Sequence, residues 1–232
     1  MTEPSAPSTV PTDLAHDLQA LVDAEQLVTG EAVLLRVEVP SLGIVSRHVA
    51  GTLARGGGDP ALVSSPFRIA SITKPFTAAV VMQLVGEGQL SLDDTLQKFL
   101  PTFPTQGNRV TVRHLLNHTS GIKNYTGLGA KWQRVMRLDL APDSMVALFA
   151  NEPFDFKPGD RWLYDNSGYF LLGMIIEKLS GKTYGQYVQE EFFTPLGLTG
   201  TSYCEQAPLI KHRAQGYAPT PNGGFINAEP LS

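Results

Sequence analysis

The amino-acid sequence predicts an α+β fold, with a small antiparallel sheet near the amino terminus and mostly helices after it. Two strand-like runs lie at 32–39 and 43–50, and from residue 71 onward apolar residues recur at helical spacing. Strands followed by helices favour α+β over a repeating βαβ pattern. With 42% hydrophobic and 17% charged residues among 232, a sizeable core is expected and global disorder is disfavoured.

The amino-terminal part is expected to begin with an unstructured segment and one helix. Residues 1–11 are rich in Pro, Ser and Thr, a composition typical of a flexible lead-in. Thr12 can cap a helix with one apolar face, which Gly30 would end. We therefore assign 12–232 to one folded domain, in which 12–70 form the first part of the α/β region.

The two strand-like runs are predicted to pair as a hairpin, because PSL at 40–42 between them suits a turn. The glycine-rich segment GGGDP follows at 56–60. It lacks the lysine and the strand–turn–helix setting of a phosphate-binding loop, so we interpret it as a plain turn.

The rest of the domain, residues 71–232, is expected to be mainly helical. Apolar spacing and capping signals predict helices in five places. These are 71–86, 112–118, 143–150, a long helix from Asn166 to Gly181, and one from Thr183 that ends before Pro195.

Charge and targeting signals narrow the classes of partner. The formal net charge of -4 argues against a nucleic-acid binder, which needs a basic face. The start MTEPSAPS is no secretory signal, and no apolar run approaches the roughly 20 residues that span a bilayer. Cys204 is the single cysteine, which suits a reducing compartment. We expect a cytoplasmic protein without nucleic-acid or membrane partners.

The first chemical motif is Ser-x-x-Lys at 71–74. Residues three apart share one helix face, so the hydroxyl of Ser71 and the amine of Lys74 can meet. Pro75 belongs in the first turn of a helix. That places Ser71 where free N–H groups and the helix dipole favour developing negative charge. Burial, a nearby cation or a tyrosine partner could each help the amine to accept a proton, and the sequence leaves this open.

Other patterns are weaker. The Ser-x-x-Lys spacing recurs at Ser120 and Lys123, where Gly121 interrupts any helix. His114 and His118 have a metal-binding spacing, but without a third ligand we expect a packed or capping role. The Gly-x-Ser-x-Gly pattern is absent, which disfavours an α/β-hydrolase. We expect neither a metal nor a cofactor.

Longer motifs surround the first serine. The sequence reads FRIASITKPFTA at 67–78, GQLSLDD at 88–94 and HLLNHTSGI at 114–122. In this order they resemble the serine β-lactamase and penicillin-binding-protein superfamily, in the branch of class C β-lactamases, D-Ala-D-Ala carboxypeptidases and related esterases. Ordered motifs are far more specific than any one pattern. The resemblance implies a β-lactamase-like fold, an antiparallel sheet flanked by helices plus a mainly helical subdomain.

The family's second element, Tyr-x-Asn, is matched by Tyr164 and Asn166 within PGDRWLYDNSGY at 158–169. The family more often has Ser between them, so Asp165 is a departure. We expect its carboxylate near the lysine and the tyrosine, where it could change how they share a proton, and the sequence leaves the effect open. Several aromatic residues flank this element: Phe154, Phe156, Trp162 and Tyr169. Some of them could line a substrate cleft, although we expect core packing for most.

The resemblance implies a role for each matched residue. Ser71 attacks an ester or amide carbonyl and becomes acylated, and its own N–H forms half of an oxyanion hole. Lys74 and Tyr164 take the serine proton and later pass it to the leaving group. Asn166 orients Lys74 and hydrogen-bonds the substrate.

The family's third element, Lys or His followed two residues later by Gly on a late strand, has no match after Asn166. KTY at 182–184 has Tyr where Gly is required. In the family that strand supplies the second oxyanion N–H, and losing one such donor lowers the rate about 10²–10³-fold. We therefore expect an incomplete catalytic unit without its C-terminal strands. The missing part could be cleaved off, lie outside the given sequence or be supplied by a second chain or fragment, or the protein could be a non-catalytic form.

Three functions stay open. The favoured one is a serine hydrolase that forms an acyl-enzyme on small esters or amides, resembling a carboxylesterase. A β-lactamase or D-Ala-D-Ala carboxypeptidase is the alternative within the enzymes, and it would require export. A non-catalytic scaffold subunit that retains the fold is the third.

Overall fold

Two units make up the described part of the chain, which in this computed structural model comprises residues 12–29, 32–42, 44–204 and 210–228. The described residues up to 68 form the first unit together with 210–228, and 69–204 form the second. The predicted lead-in at 1–11 lies outside the described residues.

The first unit begins with a helix and a hairpin, as predicted. Helix α1 spans Thr12–Thr29, and strands β1 (Val33–Val39) and β2 (Ile44–Ala50) pair antiparallel. Alternate residues of β2 are buried, as expected for a strand with one covered face. Gln19 ties the helix to this strand, because its Nε2 donates to Val49 O at 3.2 Å.

The glycine-rich segment is not the plain turn that we predicted. Strand β3 (Thr52–Ala54) pairs antiparallel with β4 (Gly57–Pro60). Gly56, Gly57 and Gly58 have φ angles of 83°, 139° and 113°. Such angles are readily adopted only by glycine, so these residues allow a tight reversal that other residues would resist.

A third pair of strands lies near the carboxyl end and was not predicted from the sequence. Strand β5 (Tyr217–Pro219) pairs antiparallel with β6 (Phe225–Asn227). The pair belongs to the first unit, where Gln215 N donates to Leu53 O at 2.8 Å. The C-terminal residues therefore return to the part of the chain that contains β3.

The second unit is mainly helical, as predicted. Its α-helices are α2 (Thr73–Gly86), α3 (Leu96–Phe99), α4 (Val112–Leu116), α5 (Ala130–Gln133), α6 (Pro142–Phe149), α7 (Asn166–Ser180) and α8 (Tyr184–Val188). A π-helical turn, Gln189–Phe193, follows α8. The predicted helices are confirmed within a few residues. The sequence did not reveal α3 and α5, because a single turn is too short to show periodicity.

The core of the second unit forms around α7. Four of its residues are fully buried on one face: Leu171, Leu172, Ile175 and Ile176. This helix packs against α2 and α4. Their buried residues include Val80, Val81, Leu84 and Leu115. Burying each such side chain contributes on the order of 1.5–3 kcal/mol. The packing fixes the starts of α2 and α7 relative to each other.

A short backbone ladder joins the segment after α4 to the segment that leads into α7. Asp155 N donates to Gly121 O at 2.8 Å, and Leu163 N donates to His118 O at 3.0 Å. Gly121 has a φ of 73°, and a Cβ there would overlap the carbonyl oxygen of Phe156. Only glycine permits this close approach of the two segments.

We expect Gly121→Ala to lower the free energy of unfolding by about 2–4 kcal/mol, from the positive φ and the overlap together. The matched control is Gly107→Ala, since Gly107 has a φ of 80° but open space around its Cβ position. The control should cost only about 1 kcal/mol. Urea denaturation measures both changes, and equal losses would contradict the close approach at Gly121.

Candidate active site

Ser71 lies in a short 3₁₀ turn, Ala70–Ile72, that leads into α2. The sequence predicted a helix that starts at about Ser71, and the α-helix itself begins two residues later at Thr73. The preceding residue, Ala70, has a φ of 44°. A non-glycine residue in this region carries strain on the order of 1–3 kcal/mol, which concentrates at functional sites. The backbone thus turns sharply where it presents Ser71 to solvent.

The four residues singled out from the motifs lie together. Lys74 Nζ donates to Ser71 Oγ at 3.3 Å and to Asn166 Oδ1 at 2.8 Å. Ser71 Oγ and Tyr164 Oη are 2.5 Å apart, and either hydroxyl can be the donor. The ammonium also lies 4.8 Å from the centre of the Tyr164 ring. One cation therefore contacts the serine, the tyrosine and the asparagine.

This arrangement changes the acidity of the phenol. Burial raises the pKa of Tyr164, but hydrogen bonds with Lys74 and Ser71, together with the charge of Lys74, outweigh it. The net effect holds the pKa of Tyr164 below its ordinary value. A phenol with a lowered pKa exchanges protons more readily near neutral pH, as a general base or acid must.

The ring of His118 packs against the ring of Tyr164. Its ring centre lies 4.7 Å from that of Tyr164 and 5.1 Å from that of Tyr169. Its Nδ1 accepts from Asp165 N at 3.1 Å. Burial, followed by the charge of Lys74, lowers the pKa of His118. A neutral imidazole is required for Nδ1 to accept this bond.

His114 has the capping role that was expected. Thr111 N donates to His114 Nδ1 at 3.3 Å, and His114 N donates to Thr111 Oγ1 at 3.4 Å. The two residues form a reciprocal cap at the start of α4.

The carboxylate of Asp165 is directed into the start of α7, and among the hydrogen bonds and ion pairs of the described residues it has none with Lys74 or Tyr164. Its carboxylate accepts from Ser167 N at 2.7 Å and from Gly168 N at 3.0 Å, and so caps α7. Ser120 Oγ, from the second Ser-x-x-Lys motif, also donates to it at 3.3 Å. The lysine of that motif, Lys123, instead pairs with Asp155 at 2.6 Å.

Burial raises the pKa of Asp165 to about 6, against the lowering effect of its hydrogen bonds from Ser167, Gly168 and Ser120. The side chain is almost completely buried, with the residue 4% exposed. Asp165 is therefore a buried capping group whose charge depends on pH just below neutrality.

The sequence analysis did not identify two neighbours of Asn166, namely Asn124 and Thr126. Asn166 Nδ2 donates to Thr126 Oγ1 at 3.2 Å and to Asn124 Oδ1 at 3.4 Å. Both acceptors follow directly after the HLLNHTSGI segment, which was treated only as a family marker. Polar residues just beyond that marker were the available signal.

The comparisons with known proteins agree with the motifs. A sequence model of the Beta-lactamase family matches residues 39–231, well over half of the chain. The chain belongs to the Beta-lactamase family. The resemblance drawn from the motifs is thereby confirmed.

Two relatives of the chain carry names that point to different functions. The chain is 39% identical over 180 residues to Penicillin-binding protein 4* of Bacillus subtilis, covering 75% of this chain and 39% of that protein. It is 30% identical over 224 residues to Esterase EstB of Burkholderia gladioli, covering 88% of this chain and 57% of the esterase. The chain thus spans about half the length of these relatives.

A solved structure confirms the fold expected for the Beta-lactamase family. The D-amino acid amidase of Ochrobactrum anthropi, complexed with D-phenylalanine, superposes with a TM-score of 0.77 at 28% identity. The alignment covers 90% of this chain and 58% of the amidase. Helices with small antiparallel sheets are the shared architecture.

The described residues show neither a metal-binding cluster nor a membrane-spanning helix. Within the described residues, no three His, Cys, Asp or Glu side chains are grouped closely enough to hold a metal ion. Of the helices in that part of the chain, none combines the length and the apolar character needed to cross a bilayer.

Asp165→Asn removes an ionisable group but keeps a side chain that caps helices well. Because the pKa of Asp165 is raised from 3.8 to about 6 on folding, the folded protein binds its proton more tightly than the unfolded chain. The stabilisation from that proton is complete below the unfolded pKa and is lost as the pH rises through 6. Between pH 4 and 7 the wild type should lose on the order of 2–3 kcal/mol relative to the variant.

Urea denaturation of both proteins across this pH range measures the difference. If the wild type instead gained stability over Asp165→Asn with rising pH, the ionised carboxylate at the start of α7 would be the favoured form.

Proposed function

We propose that this protein is a serine hydrolase that forms an acyl-enzyme on Ser71, with small esters or amides as substrates in the manner of a carboxylesterase. The proposal is carried by one observation. Ser71 Oγ is 2.5 Å from Tyr164 Oη and 3.3 Å from Lys74 Nζ. An exposed hydroxyl with two proton-exchanging partners is the arrangement of an activated nucleophile.

The first half of the reaction uses Tyr164 as the general base. Its phenolate, stabilised by the ammonium of Lys74, accepts the proton of Ser71 while Oγ attacks the carbonyl carbon. The Ser71 N–H stabilises the oxyanion that forms. Tyr164 then donates this proton to the departing alcohol or amine, which leaves an ester on Ser71. In the second half, water gives a proton to the same phenolate and attacks the ester carbonyl, and the phenol returns that proton to Ser71 Oγ as the acid leaves.

Asn166 is assigned to hold Lys74 in place, which the 2.8 Å bond from Nζ to Oδ1 supports. It also offers hydrogen bonds to an incoming substrate. The second oxyanion donor has no counterpart among the matched motifs, and its supply by another segment or a second chain stays a prediction.

The proposed substrate class is supported by the relatives and by exposed apolar side chains near Ser71 and His118. Esterase EstB and the D-amino acid amidase are named for ester and amide substrates, and both matches extend over most of this chain. Ile72, which follows the nucleophile in sequence, is 63% exposed. Trp162 is 65% exposed, and its ring centre lies 6.1 Å from that of His118. Such apolar surface suits an uncharged ester better than a highly charged substrate. A cytoplasmic location remains part of the proposal, and the single Cys204 agrees with it.

A β-lactamase or D-Ala-D-Ala carboxypeptidase is the second candidate. The 39% identity to Penicillin-binding protein 4* favours it. A β-lactam is also opened by attack of a serine on a carbonyl, so the same residues would serve.

We expect a fluorophosphonate probe to label the protein and p-nitrophenyl butyrate to be hydrolysed, with both lost in Ser71→Ala. Removing the nucleophile leaves no atom to be acylated. The matched control is Ser64→Ala, the same change at another exposed serine, which should keep both activities. Mass spectrometry of the labelled peptide identifies the modified residue.

Three outcomes decide among the candidates. Faster turnover of nitrocefin than of the ester would favour the β-lactamase. Absence of labelling in folded wild-type protein would reject the enzyme and favour a non-catalytic scaffold. Labelling that survives in Ser71→Ala would contradict the assignment of the nucleophile.

A further inference from the structure

The amide of Asn166 has two possible orientations, and only one of them places its acceptor oxygen beside Lys74. An asparagine side chain presents an acceptor oxygen on one side and a donor NH₂ group on the other. Here Oδ1 faces Lys74 Nζ at 2.8 Å. The reversed amide would point its NH₂ group at the ammonium and lose this bond. Something on the opposite side must therefore select the orientation.

Asn124 supplies an acceptor on that opposite side. Its Oδ1 accepts from the backbone N of Asn166 at 3.3 Å and from Nδ2 of Asn166 at 3.4 Å. A reversed Asn166 would bring two carbonyl oxygens face to face, which is repulsive. The contact with the backbone N also fixes the position of the first residue of α7.

Thr126 strengthens the selection because its hydroxyl has only one proton. Thr126 Oγ1 donates that proton to Asn124 Oδ1 at 3.0 Å. Toward Asn166 it can then only accept, which it does from Nδ2 at 3.2 Å. Asn124 thus sets the direction of this second bond as well.

Asn124 itself is held rigidly. It caps the 3₁₀ turn Tyr125–Gly127, with Thr126 N donating to its Oδ1 at 3.3 Å. On either side, Ser167 Oγ donates to Lys123 O at 2.7 Å and accepts from Tyr125 N at 3.0 Å. The loop is therefore attached to the first turn of α7 on both sides of Asn124.

We propose that Asn124 is a positioning residue for the acyl transfer, whose side-chain oxygen locks the amide of Asn166 so that its own oxygen faces Lys74. The inference rests on the proposed function of the Ser71 site. Asn124 acts through Asn166 and contacts neither Ser71 nor Lys74 among the hydrogen bonds of the described residues.

Three variants test this role on p-nitrophenyl butyrate. Asn124→Ala removes the acceptor and should lower kcat/KM about 10–100-fold, as misplacement of a catalytic group does. Asn124→Asp keeps an oxygen at the same place and should retain most of the activity. Asn108→Ala, the same change in another loop, is the control and should resemble the wild type.

The pH profile separates positioning from a loss of structure. With Asn166 free to turn, Lys74 is held less firmly beside the phenol, and Tyr164 loses part of the interaction that lowers its pKa. The acidic limb of the rate profile in Asn124→Ala should therefore move to higher pH. A merely destabilised protein would keep the wild-type profile. If Asn124→Ala fails to fold, Thr126→Val carries the test at an exposed position and should lower kcat/KM in the same direction.

The inference would be overturned if folded Asn124→Ala matched Asn108→Ala in rate and profile, or if Asn124→Asp lost as much activity as Asn124→Ala. The result for the wild type shows which claim fails, the hydrolase function or the positioning role of Asn124. A wild type without labelling at Ser71 would contradict the hydrolase, whereas a labelled, active wild type with an unaffected Asn124→Ala would contradict only the positioning role.

Discussion

A contact between two hydroxyls, Ser71 and Tyr164, connects parts of the chain that are 93 residues apart in sequence. Neither group is reactive alone, since a serine hydroxyl holds its proton tightly and an ordinary phenol is protonated at neutral pH. The contact becomes useful because Lys74 places a positive charge beside both. The geometry of that one cation therefore governs the site.

Helices α2 and α7 together hold the Lys74 cation in place. Lys74 is the second residue of α2, and its partner Asn166 is the first residue of α7. The two helices pack through a fully buried apolar face. Because protein interiors are close-packed, a shift of either helix would be resisted by the whole core. Precision at the polar site thus comes from apolar packing several residues away.

The titratable groups around Lys74 differ in how they interact with its charge. Lys74 lowers the pKa of Tyr164 through a hydrogen bond, and its charge helps burial to lower the pKa of His118. Asp165, in contrast, directs its carboxylate into the start of α7. Within the described part of the chain, the hydrogen bonds of Lys74 go to Ser71 and Asn166 and not to a carboxylate, which favours a phenolate at Tyr164.

Much of this arrangement could be predicted from the sequence, and the failures have physical causes. Ordered motifs identified Ser71, Lys74, Tyr164 and Asn166. The direction of Asp165 was missed, although its backbone is extended, and alternate residues of extended backbone point to opposite sides. Asn124 was missed because its bonds to Asn166 depend on how a loop folds back over 42 residues. The glycine-rich hairpin was missed because composition alone does not reveal strand pairing.

Lys74 and Ser71 hold the phenol of Tyr164 in a more acidic state than those of four other tyrosines that are buried or half-buried. Four tyrosines have a pKa raised mainly by burial: Tyr125, Tyr169, Tyr184 and Tyr187. An NMR titration of protein labelled with ¹³C at tyrosine Cζ, with Tyr164→Phe to assign the signal, compares them directly. We expect Tyr164 to titrate at a lower pH than these four, and a Tyr164 signal that titrates with them or above them would contradict the role of Lys74 and Ser71.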